Sequence, residues 1–204
     1  MPEITCYFSP QSGYAYLGHA RLVAIARAHG AAILWRPVDI LKVFAEGGST
    51  APAKQSPVRN AYRKVDIVRW AKRAGISINT EPAFWPTDTL PACRLIAAAM
   101  LQGIDATDLI GACLGAVWAR NLQISERATL VRLADEVGLD GAHLAELSDS
   151  VEAAERVARN TAEAIAAGVF GSPSYVVDGE LYFGQDRLDF LAEALAGAPA
   201  EAAQ

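Results

Sequence analysis

The sequence has no Cys-x-x-Cys pair, and its three cysteines, Cys6, Cys93 and Cys113, are odd in number and widely spaced. That leaves no disulfide framework. His19, His29 and His143 are equally scattered, so no zinc-type spacing exists and no metal site is expected. Among apolar neighbours, each cysteine reads as a small buried hydrophobe. No apolar run reaches the ~18 residues of a membrane span without a charge or a breaker. Basic residues are not in excess: 18 Lys and Arg stand against 23 Asp and Glu, a net charge of −5. This argues against a nucleic-acid partner held on a broad basic surface. Met1 to Tyr7 holds Glu3 and no basic cluster, so no signal peptide is expected and a cytoplasmic location is. What the chain does have is material for a core. Its 204 residues are 52% hydrophobic and 20% charged, the balance of one large domain, or of a small domain carrying an insertion.

The two ends of the chain read as α/β. Ile4 to Phe8 is short, β-branched and aromatic, and Ser9-Pro10 stops it: a strand. From Tyr14 to His29, Leu17, Leu22, Ile25 and Ala28 fall near helical spacing, and Gly30 closes the run. Ala32 to Val38 is a second strand. Strand, helix, strand in under forty residues is a βαβ unit, which predicts parallel pairing. Near the other end, Ser174 to Val177 and Leu181 to Phe183 flank Asp178-Gly179, a strong two-residue hairpin turn. A last helix follows, with Asp186 near its N-cap and Leu188, Phe190, Leu191 and Leu195 as apolar contacts.

The middle is helical. After a loop of small residues from Glu46 to Pro52, helices are expected over about Arg59 to Ala74, Ala92 to Gln102, Asp105 to Arg120, Ser125 to Glu136 (capped by Ser125), Asp140 to Ser148 and Ser150 to Ala167. The tail from Gly197 to Gln204 is expected to fray. Removing the helical block leaves a thioredoxin-like core. The expected fold is therefore α/β, with residues 1–40 and 169–204 forming a discontinuous thioredoxin-like domain and residues 41–168 an inserted helical domain.

In such a core the chemistry sits where the first strand meets the first helix, because free backbone N–H groups there favour an anion. Here that turn runs from Ser9 to Gly18 and contains no cysteine. Dithiol–disulfide exchange is excluded at this position.

Ser12-Gly13-Tyr14-Ala15-Tyr16-Leu17-Gly18 resembles the Ser-Pro-Tyr-Ser-Trp-Leu-Gly signature of kappa-class glutathione transferases and the related 2-hydroxychromene-2-carboxylate isomerases. Tyr62 to Ala71 followed by Gly75-Ile76 is similar to the isomerases' first inserted helix. Val169-Phe170-Gly171-Ser172-Pro173-Ser174 is similar to their cis-proline loop, and Phe183-Gly184-Gln185-Asp186-Arg187-Leu188 to their Phe/Trp-Gly-x-Asp-Arg-Leu. The resemblance covers nearly the whole chain, in order.

The resemblance implies glutathione as cofactor and roles for particular residues. Ser12 would donate a hydrogen bond to the glutathione thiolate, with Ser9 as the rival position. Pro173 would form a cis peptide that presents Ser172 to the tripeptide. Gln185 and Asp186 would serve the cofactor, Asp186 at the γ-glutamyl ammonium. Arg59 matches a family lysine that meets carboxylates, and Trp85 would wall a flat substrate. Where the isomerases carry an asparagine this chain has Gly47-Gly48-Ser49-Thr50, and Asp88 stands where many relatives have another. The implied activity is isomerisation of a 2-hydroxychromene-2-carboxylate to trans-o-hydroxybenzylidenepyruvate by reversible thiolate addition. The alternatives are conjugation of glutathione to electrophiles, or a non-catalytic thioredoxin-like binding module. The family also suggests a homodimer.

Overall fold

The computed structural model describes residues 1–197. The tail beyond Gly197, where fraying is expected, lies outside the described residues. Strands β1 (Glu3–Phe8), β2 (Ala32–Pro37), β3 (Ser174–Val177) and β4 (Glu180–Phe183) form one sheet in the order β2-β1-β3-β4. β1 and β2 are parallel, as the βαβ reading requires, with Cys6 opposite Trp35. β3 is antiparallel to both β1 and β4. The β3–β4 hairpin turns at Asp178 and Gly179 with φ of 49° and 82°, the left-handed pair that a tight type I′ turn demands.

Alternation along β1 sorts its side chains between two layers. Ile4, Cys6 and Phe8 join the main core, together with Leu17 and Leu22 of helix α1 (Gly13–Ala28) and Trp35 of β2. Tyr7 points to the opposite face, where Val38, Ile40, Val43, Ala164 and Val169 form a second cluster. In α1 the buried line passes through Ala26, with Ile25 only partly covered and Ala28 exposed. The helix predicted from that spacing is present, and it turns its last residues outward before Gly30.

Between β2 and β3 lie helices α2 (Ile40–Glu46), α3 (Pro57–Ala74), α4 (Leu90–Leu101), α5 (Thr107–Trp118), α6 (Arg127–Glu136), α7 (Gly141–Ser148) and α8 (Val151–Ala166). The last, α9 (Leu188–Gly197), follows β4. No described helix is long and apolar enough to cross a membrane. The helical block does not stand apart. Leu95, Ile96, Leu109, Ile110, Trp118 and Leu133 belong to the same buried cluster as the sheet residues. Trp35 Nε1 donates to Thr107 Oγ1 at 2.9 Å, and Asn160 Nδ2 donates to the Pro37 carbonyl at 3.1 Å, tying β2 to α5 and α8.

Three local expectations are corrected. Helix α6 starts at Arg127 with Glu126 at the cap and no side-chain cap bond; the Ser125 hydroxyl accepts from Gln123 Nε2 instead. Asp186 does not cap α9. It sits in a 3-10 turn, Gln185–Arg187, entered through Gly184 at φ 96°, and its carboxylate lies 3.5 Å from the Arg187 guanidinium. Phe190 is 53% exposed and contributes nothing to the core, whereas Leu188, Leu191 and Leu195 are buried.

His19 on α1 meets the Trp35 ring edge-on, at 5.2 Å between centroids, with Nδ1 sealed from solvent and unpartnered. Desolvation holds the imidazole down at about 4, against a weaker upward pull from Asp108. An unfolded histidine takes its proton near 6.5. The unfolded chain therefore binds the proton first as pH falls, so stability is complete above about pH 6.5 and declines toward pH 4 by about 2–3 kcal/mol. Urea midpoints measured from pH 7 to pH 4.5 should show this decline, and His19→Asn should flatten it. An unchanged slope in the variant would assign the acid loss to other groups.

Candidate active site

The turn after β1 is built around Ser12. Its N–H donates to the Ser9 carbonyl at 2.9 Å. Its Oγ accepts from Ala15 N–H at 3.2 Å, capping α1. The same hydroxyl donates to the Ser172 carbonyl at 3.0 Å, and Ser172 Oγ accepts from Ser9 N–H at 2.9 Å. The loop carrying Ser172 is thereby laced to the start of α1. The Ser172–Pro173 peptide is cis, as the resemblance implies; Trp85–Pro86 is cis as well.

Trp118, at the end of α5, forms the floor under this turn. Its Nε1 donates to the Gln11 carbonyl at 3.0 Å, and its ring lies so close to Gly13 that a Cβ there would stand 3.0 Å from it. A side chain at the first helical position would therefore press on the Trp118 ring, which would have to give by a few tenths of an ångström. Gln11 Oε1 in turn accepts from Thr87 N–H at 3.0 Å, which fixes the Trp85 loop against the turn.

These elements enclose a cavity of about 480 Å³. Ser9, Gln11, Ser12 and Ser172 supply its polar end. Ile40, Leu41, Phe44, Pro52 and Trp85 supply an apolar wall. Leu41 is 64% exposed, an apolar side chain left without protein cover at the cavity's edge. Such a lining suits a flat, largely apolar ligand oriented by a few polar groups. Tyr14, Lys54, Arg63 and Asp88 also line it. The Tyr14 hydroxyl donates to Asp66 Oδ2 at 2.8 Å. Arg63 is stacked on Trp85, with its Cζ 4.3 Å from the ring centroid. Two buried polar atoms of residues lining this cavity have no protein partner: Ser9 Oγ and Arg63 Nε.

No thiol faces the cavity. Cys6, Cys93 and Cys113 are free and buried. Burial pushes Cys113 up to about 12 and drives Cys6 and Cys93 up strongly. None of the three is a usable nucleophile near neutral pH. No group of three or more His, Cys, Asp or Glu is placed to hold a metal ion among the described residues.

The structure brings together Ser12, Ser172 and Trp85 of the expected site residues. Pro173 faces inward, beside a small void also lined by Cys6, Ala15 and Tyr175. Gln185 is 3% exposed and lines a separate cavity of about 510 Å³ with His19 and Trp70. Asp186 lies in an outer groove with Tyr182 and Phe190. Arg59 is exposed on the first turn of α3 and is not part of the Ser12 cavity. The sequence reading missed Arg63, one helical turn further on. It also missed α2, whose signal was present: Asp39 Oδ1 accepts from Leu41 N–H at 3.2 Å, an N-cap before an apolar run.

The comparisons with known proteins agree with this fold. A family model described as the DSBA-like thioredoxin domain matches residues 3–196. A 2-hydroxychromene-2-carboxylate isomerase of Sphingobium xenophagum is 29% identical over 189 residues, covering 92% of this chain and 95% of that protein. One from Pseudomonas sp. (strain C18) is 28% identical over 194 residues, covering 95% and 90%. A solved 2-hydroxychromene-2-carboxylate isomerase superposes with a TM-score of 0.78 at 25% identity, over 95% of this chain and 94% of that one. The cytosolic disulfide reductase DsbM of Pseudomonas aeruginosa, solved with GSH, shares the fold at a TM-score of 0.68 and 18% identity, over 95% and 97% of the two chains.

Proposed function

We propose that this chain, which belongs to the DSBA-like thioredoxin-domain family, is a glutathione-dependent isomerase acting on 2-hydroxychromene-2-carboxylate-type aromatic compounds to give trans-o-hydroxybenzylidenepyruvate. One observation carries the reading most. A serine hydroxyl stands at the N-terminus of α1, beside an apolar cavity, where a redox relative would need cysteine. With every protein thiol buried, a sulfur nucleophile has to come from a bound ligand.

The residues present fit glutathione. Ser12 offers a hydroxyl at a helix N-terminus, and the Ser9 hydroxyl beside it is buried and unpartnered. Bound glutathione would supply the thiolate that adds to the substrate and is recovered at the end of the cycle. The chain's own contribution is electrostatic and steric. The Ser12 hydroxyl and the first-turn amides of α1 favour an anion and so lower the cost of holding the thiol ionised. Ser172 and Pro173 would flank the tripeptide, and Asp186 would meet its γ-glutamyl ammonium. Gln185, whose side chain is buried, would serve it only through the backbone. Trp85 and the α2 side chains would hold the substrate ring and keep water away. Residues 1–40 and 169–197 then form the cofactor side of the cleft, and residues 41–168 the substrate side.

The test is turnover of 2-hydroxychromene-2-carboxylate by the purified protein with reduced glutathione. Isomerisation that needs glutathione and fails with S-methylglutathione is expected. Release of a stable conjugate from an electrophile without isomerisation would make the protein a transferase. Absence of turnover together with absence of calorimetric glutathione binding would overturn the reading.

A further inference from the structure

Arg63 is a cation without an anion. It is half-buried, its Nε is sealed from solvent without a hydrogen-bond partner, and it makes no ion pair among the described residues. Burial of a charge is costly unless something opposite in sign meets it. Two acids of the same region, Asp66 and Asp88, take their hydrogen bonds elsewhere and neither pairs with Arg63. Asp66, one turn along α3, accepts from the Tyr14 hydroxyl at 2.8 Å, and Asp88 Oδ1 accepts from Leu90 N–H at 3.0 Å. Desolvation lowers the Arg63 pKa, with an opposing influence from Tyr14. The guanidinium nevertheless stays charged, because its ordinary value lies far above neutrality.

Stacking explains how the cation is held but leaves its hydrogen bonds unmade. With Cζ 4.3 Å above the Trp85 ring, one face of the guanidinium is covered. A stacked guanidinium keeps its N–H donors in its own plane, where a carboxylate can take two of them at once. Phe44 and Leu41, on the same cavity wall, offer apolar surface for a ring attached to that carboxylate. Lys54 adds a second positive charge to the lining.

We propose that Arg63, held against Trp85, is the seat for the carboxylate of a flat aromatic acid bound in the Ser12 cavity, and that Arg59 is not. This rests on the isomerase reading for the identity of the substrate, but the seat itself can be tested without turnover. Arg59 and Arg63 stand one turn apart on α3, and only Arg63 lines the cavity.

Calorimetric titration of a naphthalene carboxylate and of the neutral naphthalene carboxamide separates charge recognition from ring burial. The carboxylate should bind the native protein and lose about 10- to 100-fold in affinity in Arg63→Met, the scale of a charge-assisted pair. The carboxamide should be indifferent to that change. Arg63→Lys should recover part of the loss, because it restores charge but not the planar fork, and it guards against a folding defect in the methionine variant. Arg59→Met should leave carboxylate affinity unchanged. Equal carboxylate binding by native protein and Arg63→Met, a loss that follows Arg59 instead, or no carboxylate binding by the native protein would each overturn the proposal. If discrimination by Arg63 is found but the chromene carboxylate is not turned over, the isomerase reading fails while the anion seat stands. In an active enzyme, Arg63→Met should raise the KM for the aromatic acid and leave that for glutathione alone.

Discussion

Replacing Ser12 with alanine is expected to lower kcat by about 10²–10³-fold, the usual consequence of removing one donor aimed at a developing or stabilised anion. The same change should cost about 2 kcal/mol of stability, an N-cap together with the hydrogen bond to the Ser172 carbonyl. The two effects are separable because the hydroxyl has two jobs. It accepts from Ala15 N–H, which is the capping contact, and it donates a single proton, at present to the Ser172 carbonyl. To stabilise a bound thiolate the proton must swing from that carbonyl to the sulfur. Steady-state kinetics at saturating glutathione, set beside a thermal melt, resolve the two losses. Ser9→Ala is the informative companion. Its hydroxyl has no protein partner to lose, so little stability should change. Full turnover in Ser12→Ala with collapse in Ser9→Ala would move the donor role three residues upstream.

Trp118→Ala should be among the most destabilising single changes in the protein, by about 3–5 kcal/mol, in line with truncation of a buried aromatic. Trp118 is 1% exposed and sits where several supports meet. Its ring fills the space against Gly13, lies 5.9 Å from the Trp85 ring between centroids, and its Nε1 holds the Gln11 carbonyl. Trp118→Phe keeps most of the packing and loses the hydrogen bond, so about 1–2 kcal/mol is expected from an unpaired Gln11 carbonyl and a small void. Urea denaturation midpoints of the two variants measure both. A loss below about 1 kcal/mol in Trp118→Ala would mean that the site relaxes around the gap and that the turn does not depend on this floor.

The readable parts of the sequence are those whose signal is local. Asp178-Gly179 announced a hairpin and Gly30 the end of a helix; both stand where expected. Asp186 misled because the same residue type suits two neighbouring conformations. Gly184 turns the chain at φ 96°, and the carboxylate meets Arg187 and not a first-turn amide. Helix α2 was too short for periodicity to register, and its order comes from burial of Ile40 and Val43 against Tyr7 and Ala164. The site was half legible. Ser12, Ser172 and Trp85 converge, but the choice between Arg59 and Arg63 depends on how α3 lies over the Trp85 loop, a tertiary fact that no local pattern encodes.

The continuous core described above also constrains how the cleft can breathe. Leu22 and Trp35 share one buried cluster with Ile110, Leu114 and Leu133, so sheet and helical block cannot swing apart as two lids without exposing that common interior. A ligand that enters the Ser12 cavity without opening this interior therefore meets only the cavity's own lining, Ile40, Leu41 and Phe44 of α2 among it. Leu41, 64% exposed on that lining, is an apolar side chain that a bound ring can cover without disturbing the shared interior.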